Sequence, residues 1–218
     1  MPVGFPEFVE NPENRCPVVL LLDTSGSMSG QPIRELNEGL KAFKSSLMQD
    51  TLASQRVELE IITFGETVTT IQEFVTIDDF DPPELKTSGR TPMGQAIITA
   101  LDSIEKRKAI YKNNDIQYYR PWVFLITDGA PTDSWQRAAS ELKDAEADKK
   151  LVFFAVGVEG ADFNTLKEIA SARPPLQLKG LDFREMFVWL STSVQQVSTG
   201  KIGDVKSLPP VGWGEVPT

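Results

Sequence analysis

The sequence predicts a doubly wound α/β domain, Rossmann-like, with helices on both faces of a mostly parallel sheet and one antiparallel edge strand. Three observations carry that expectation. Uninterrupted apolar runs, V-V-L-L-L at 18–22, W-V-F-L-I at 122–126 and L-V-F-F-A-V at 151–156, read as strands buried on both faces. Segments with apolar residues at helical spacing separate them. Two of the runs lead into an aspartate, Asp23 and Asp128, at the carboxyl edge where open α/β sheets hold their ligands.

Taken in order, residues 1–14 read as an irregular lead-in, 15–198 as the domain and 199–218 as a tail. The first strand covers 16–22, and Cys16 at its start is a small core residue. Pro32 suits the first turn of a helix whose Ile33, Leu36, Leu40, Phe43 and Leu47 form one apolar stripe. V-E-L-E-I-I-T-F at 57–64 and the run 68–75 form a hairpin about Gly65-Glu66. After an aperiodic loop, Thr91 and Pro92 read as N-cap and first residue of a helix that ends near Lys108. Thr132 or Asp133 is expected to cap the next helix, which carries Trp135, Ala138 and Leu142. A short helix at 163–170, a brief edge strand at 174–178 and an amphipathic helix from Phe183 to about Val197 complete the domain. Trp213 in the tail is expected to dock on the domain itself.

Composition removes several kinds of chemistry. Of 218 residues none is histidine and one is cysteine, which excludes a Ser-His-Asp triad, a Cys-His pair, a His-ligated zinc site and an intrachain disulfide. A net charge of −9 argues against a general nucleic-acid binder. No apolar run reaches the length of a membrane span, and no signal-like segment opens the chain, so a cytoplasmic location is expected. G-x-x-x-x-G-K-[ST] and G-x-G-x-x-G are both missing, and G-S-M-S-G puts Met28 where a hydrolase elbow needs serine.

What remains is a set of oxygen donors. Asp23, Ser25 and Ser27 follow the first strand, Thr91 opens a helix, and Asp128 closes a central strand. Magnesium takes an octahedron of hard oxygens and keeps part of its shell open to water. Two carboxylates and three hydroxyls neither fill nor neutralise a closed cage, and an external carboxylate would suit the open position. Arg90, beside the mouth, has two readings, a pairing partner for such a carboxylate or a solvated loop residue.

D-T-S-G-S, T-P-M-G and I-T-D-G, in this order and approximate spacing, resemble the metal-ion-dependent adhesion site of von Willebrand factor A (vWA) domains. The family commonly carries glycines before T-P, where this chain has Arg90 after Gly89. The resemblance spans about 16–197 and is strongest to bacterial stand-alone vWA proteins of the tellurium-resistance TerY type. It implies that Ser25, Ser27 and Thr91 supply hydroxyls to Mg²⁺ (Mn²⁺ or Ca²⁺ in its place). It implies that Asp23 and Asp128 bind the metal directly or through water, and that an Asp or Glu of a protein partner completes the shell. The implied function is non-catalytic protein–protein interaction in a bacterial stress response. The alternatives are an Mg²⁺-dependent phosphoryl-transfer or hydrolytic enzyme and a scaffold with an unused metal site.

Overall fold

The computed structural model describes residues 6–204 and 206–217. In chain order the elements are α1 (Pro6–Glu10), β1 (Cys16–Asp23), a single 3-10 turn (Gly26–Met28), α2 (Gln31–Leu47), α3 (Thr51–Arg56), β2 (Val57–Phe64), β3 (Val68–Thr76) and α4 (Met93–Asn113). They continue with β4 (Trp122–Thr127), α5 (Gln136–Ala147), β5 (Val152–Gly157), α6 (Phe163–Ile169), β6 (Leu176–Leu178), α7 (Phe183–Ser198) and β7 (Gly214–Glu215). The strands make one sheet in the order β3-β2-β1-β4-β5-β6-β7. β1, β2, β4, β5 and β6 pair in parallel, while β3 and β7 close the two edges antiparallel.

The chain leaves β1 toward β2 and later returns to the other side of β1 as β4, so the direction of winding reverses between β1 and β4. Leu22 is level with Ile126 in that pairing, which puts the ends of the two central strands side by side. Both are apolar on both sides because both are covered. Val18, Leu20, Leu22, Phe124 and Ile126 face a core with α2 and α7, and Val19, Leu21, Val123 and Leu125 face one with α4, α5 and α6. The expected α2 stripe of Ile33, Leu36, Leu40, Phe43 and Leu47 is buried along its length. Each such side chain contributes roughly 1.5–3 kcal/mol by leaving water. Cys16 is fully buried, which pushes its thiol up to about 12 and leaves it inert.

Several elements depart from the sequence expectations. Residues 1–5 of the expected lead-in lie outside the described residues, but Pro6–Glu10 is a helical turn, not irregular chain. It is pinned by Phe8, which is buried edge-on against Tyr111 and carries the Arg15 and Arg107 guanidinium groups 5.3 and 5.2 Å from its ring centre. The helix α3, unforeseen between α2 and β2, is capped by Asp50, which accepts from the Leu52 and Ala53 amides. The short β7 was hidden in an aperiodic tail; it pairs with β6, and the neighbouring Trp213 is buried against Trp189.

Strand β2 forms over the expected residues, and both of its glutamates are buried. Alternation in V-E-L-E ordinarily marks a face open to water, yet Glu58 and Glu60 are buried beneath α4. Glu58 accepts from Arg15 Nε at 2.7 Å, Arg107 Nε at 3.0 Å, Arg107 Nη2 at 2.8 Å and the Tyr111 hydroxyl. Arg107 also reaches Glu7 on α1 at 2.9 Å. This network is what extends α4 to Asn113, past the end expected near Lys108: its last turns are fastened to β2 and α1 by charge, which an apolar period does not register. Glu60 is less well served. One carboxylate oxygen accepts from Ser103 Oγ at 2.5 Å, and the other has no partner among the described residues. Burial, with Glu73 adding to it, raises its pKa to about 7 against the opposing effects of Ser103, Arg107 and Lys106.

Two outcomes follow for stability. Glu58→Ala strips two buried guanidinium groups of their shared acceptor and should cost roughly 3–5 kcal/mol in urea unfolding. At Glu60 the folded chain holds its proton to higher pH than the unfolded chain does, so stability falls as pH rises from about 4.5 to about 7. Glu60→Gln should remove that fall. The variant should melt above the wild type at pH 8 by on the order of 2 kcal/mol, with the difference closing near pH 4.

Candidate metal centre

The expected donors meet at the reversal between β1 and β4. Asp23, the last residue of β1, is fully buried, and each of its carboxylate oxygens is held. Oδ1 accepts from the Ser25 amide at 2.8 Å, and Oδ2 accepts from the Thr127 hydroxyl at 2.5 Å. The short 3-10 turn then carries Ser27 outward, with Met28 buried behind it as the anchor of the loop. Ser25 Oγ and Ser27 Oγ lie 3.0 Å apart, and Ser27 Oγ donates to Asp128 Oδ1 at 2.7 Å. Four of the five sequence-selected residues thus form one hydrogen-bonded cluster across the ends of two strands.

Thr91 arrives from a third segment. Its backbone is fixed to the loop after β4, its amide donating to Thr132 Oγ1 at 3.1 Å and its carbonyl accepting from the Thr132 amide at 2.9 Å. The expectation that Thr91 caps α4 is corrected: α4 begins at Met93 and no side chain caps it at the preceding residue. The cap is supplied from a distance by Asp133, whose two oxygens accept from the Gly94 and Gln95 amides at 3.0 and 2.8 Å. The α5 helix, for which Thr132 or Asp133 was the expected cap, has no side-chain cap. Non-local capping leaves the Thr91 hydroxyl out of the helix end and beside the cluster. Gly129 marks the junction, since a Cβ there would sit 3.4 Å from Thr91 Oγ1 and 4.0 Å from Asp23 Oδ2.

The loop that carries Arg90 is strapped down on its near side. The Ser88 amide donates to the Thr24 carbonyl at 2.8 Å, and the Gly26 amide to the Gly89 carbonyl at 3.3 Å. Gly89 has φ +74°, and a Cβ would meet the Glu66 backbone at 2.3 Å, so only glycine fits this turn. Arg90 is exposed next to buried Thr91 and makes no ion pair among the described residues.

Burial raises the Asp23 carboxyl above its ordinary range, against the hydrogen bonds from Ser25 and Thr127, and the charge of Asp128 adds to the rise. Burial raises Asp128 as well, against its bond from Ser27. Two carboxylates are therefore held close together where water does not fully stabilise them, a setting that favours a bound cation. No group of three His, Cys, Asp or Glu side chains among the described residues could hold a metal, so hydroxyls are indispensable to any shell here. Asp23, Asp128, Ser25, Ser27 and Thr91 offer hard oxygens only, the chemistry Mg²⁺, Mn²⁺ and Ca²⁺ share.

The residues that support the cluster do not stand out in the sequence. Thr127 looked like the last residue of a strand, yet it holds Asp23 and also accepts from the Gly129 amide at 3.2 Å. Its position directly before Asp128, a hydroxyl at the end of an apolar run, was the available signal. Thr132 and Asp133 were recognised as capping types, but which helix they serve depends on the packing of α4 on α5.

No curated protein is similar enough in sequence to be matched to this chain. Solved structures do match it. The ArnB paralog VWA2 from Sulfolobus acidocaldarius superposes with a TM-score of 0.55 at 17% identity, over 83% of this chain and 45% of that one. Manganese-loaded TRAP from Plasmodium vivax gives 0.53 at 22% identity, over 74% of this chain and 64% of its own. Proximal thread matrix protein 1 from the mussel byssus, with a zinc-occupied MIDAS motif, gives 0.57 at 19%, over 84% and 48%. These likenesses are of fold, and this chain spans about half the length of the first and last of these structures. The sequence profile of the von Willebrand factor type A domain matches residues 18–179. Such domains commonly bind a metal at an adhesion site and mediate protein interactions. With that match over most of its length, a sheet of the same fold and an oxygen cluster at the reversal point, the chain belongs to the von Willebrand factor type A domain family.

Proposed function

We propose that the protein is a non-catalytic interaction module that binds Mg²⁺ through Asp23, Ser25, Ser27, Thr91 and Asp128 and captures an acidic residue of a partner protein. The observation that carries this reading is the single hydrogen-bonded cluster Asp23–Ser25–Ser27–Asp128, with Thr91 alongside, at the reversal of the sheet. A divalent cation bound there would act as a Lewis acid toward a partner carboxylate. The chain's own residues supply the rest. Thr127 and the Ser25 amide fix the Asp23 carboxylate before any ligand arrives, so little ordering is left to be done on binding. Ser27, exposed on its 3-10 turn, faces both Asp128 and solvent. Arg90 at the rim supplies a second contact to an incoming carboxylate. The neighbours whose printed descriptions include manganese or a zinc-occupied motif support a divalent site in general, and the all-oxygen donors favour Mg²⁺ over zinc. The tellurium-resistance type of stress role and a cytoplasmic setting rest on the sequence resemblance and belong to the same proposal.

Three outcomes test it. Mg²⁺ should raise the melting temperature, by the equivalent of about 2.7 kcal/mol at a hundredfold excess over Kd, and Asp23→Ala should abolish the rise. Capture of an acidic partner from source lysate should require Mg²⁺, fail in EDTA and fail with Asp23→Ala; equal capture in EDTA sinks the proposal, and Asp23-dependent turnover of a phosphate ester would replace it with an enzymatic one. In EDTA, Asp128→Asn should melt a few degrees above the wild type at pH 7. Burial raises both carboxyls, so the metal-free fold loses stability as pH climbs through their titration, and the gap should narrow toward pH 3.

A further inference from the structure

Well back from the carboxyl edge, β2, β3 and α4 enclose a groove of about 370 Å³. It is lined by Glu60 on β2, Thr70, Glu73 and Phe74 on β3, and by α4 residues including Asp102, Ser103, Lys106 and Ile110. Glu60 is 3% exposed, and its Oε2 has no hydrogen-bond partner among the described residues. An unpaired carboxylate oxygen in such a place costs more than a hydrogen bond returns, unless a donor reaches it.

The charges lining the groove are unbalanced. From β3 comes Glu73; from α4 come Asp102, Lys106 and Arg107. Arg107 is committed to Glu58 and Glu7, at 2.8 and 2.9 Å. Lys106 is exposed and makes no ion pair among the described residues. Against it stand the three carboxylates of Glu60, Glu73 and Asp102, so the groove attracts a cation. An organic cation suits the groove better than a bare metal ion, since part of the wall is apolar and offers an ion no oxygen. Phe74 and Ile110 add apolar walls on which a methylene chain can lie. We propose that this groove binds an alkylammonium group, carried by a small linear amine or by a lysine side chain, with its N–H donating to Glu60 Oε2 and its alkyl chain against Phe74 and Ile110.

The test is calorimetric titration of the full chain with 1,4-diaminobutane and, separately, with N-acetyl-lysine amide, at pH 8 in EDTA, with 1-butanol as the neutral control. Saturable binding of either amine but not of butanol is expected. The diamine alone would assign the groove to small amines, and the lysine derivative, alone or with it, to a lysine-bearing ligand. Glu60→Gln should weaken binding about tenfold or more, since a charged acceptor is replaced by a neutral one. Lowering the pH to 5.5 should weaken it too, because Glu60, titrating near 7, is then mostly protonated. Asp23→Ala should leave it unchanged, which separates this groove from the metal centre. In the wild type alone, amide shifts on titration should gather at Phe74, Ser103 and Ile110. Absence of saturable binding, binding unchanged in folded Glu60→Gln, or shifts located elsewhere overturns the proposal.

Discussion

Two acidic side chains are brought together at the mouth of this protein in a place that poorly tolerates their charge. Asp23 is fully buried, Asp128 nearly so, and each carboxyl is raised by the loss of water. Left alone, such a pair destabilises the fold. It persists because the sheet ends there: β1 and β4 are adjacent, parallel and level, and the chain winds away from them in opposite directions. The surrounding loops then satisfy what can be satisfied without a cation. The Ser25 amide and the Thr127 hydroxyl hold Asp23, and Ser27 donates to Asp128. On the proposed reading, a divalent ion bound there would supply the missing positive charge, and a partner's carboxylate would neutralise what remains.

The rest of the architecture keeps that mouth rigid. The loop bearing Thr91 is tied to Thr24 and Gly26 on one side and to Thr132 on the other. Asp133 spans two elements by capping α4 from the loop that precedes α5. Far below, the Glu58 network locks β2, α4 and α1 together, so the helix that opens next to Thr91 is anchored at its other end by Arg107 and Tyr111. Positioning at one end of α4 is thus supported by buried charge at the other.

Much of the design could be read from residue order. Double-sided apolar runs are diagnostic of central parallel strands, and the aspartates that follow two of them mark the carboxyl edge. Asp23, Ser25, Ser27, Thr91 and Asp128 stand out as candidates because each lies at or just beyond a strand end or before a helix, and the structure brings four of them into one hydrogen-bonded cluster. What could not be read depends on contacts distant in sequence. Thr-Pro is a good local helix start and so predicts a cap at Thr91, while the true cap, Asp133, acts from the loop before α5. The burial of Glu58 and Glu60 is not legible either, because their cover, α4, leaves no trace in a local alternation. Pro6–Glu10 and Gly214–Glu215 owe their structure to partners elsewhere, Phe8 to Tyr111 and β7 to β6, and no local period announces either.

The central claim is a divalent ion at this cluster with a coordination position open to a carboxylate. It is tested most directly by water-proton relaxation of the Mn²⁺-loaded protein, titrated with an acidic peptide. Mn²⁺ should bind with one-to-one stoichiometry and enhance relaxation through exchanging water. Added peptide should lower that enhancement by displacing the water, and Asp23→Ala should show no enhanced signal. Enhancement that is equal in Asp23→Ala, or that ignores the acidic peptide at saturating concentration, would contradict it.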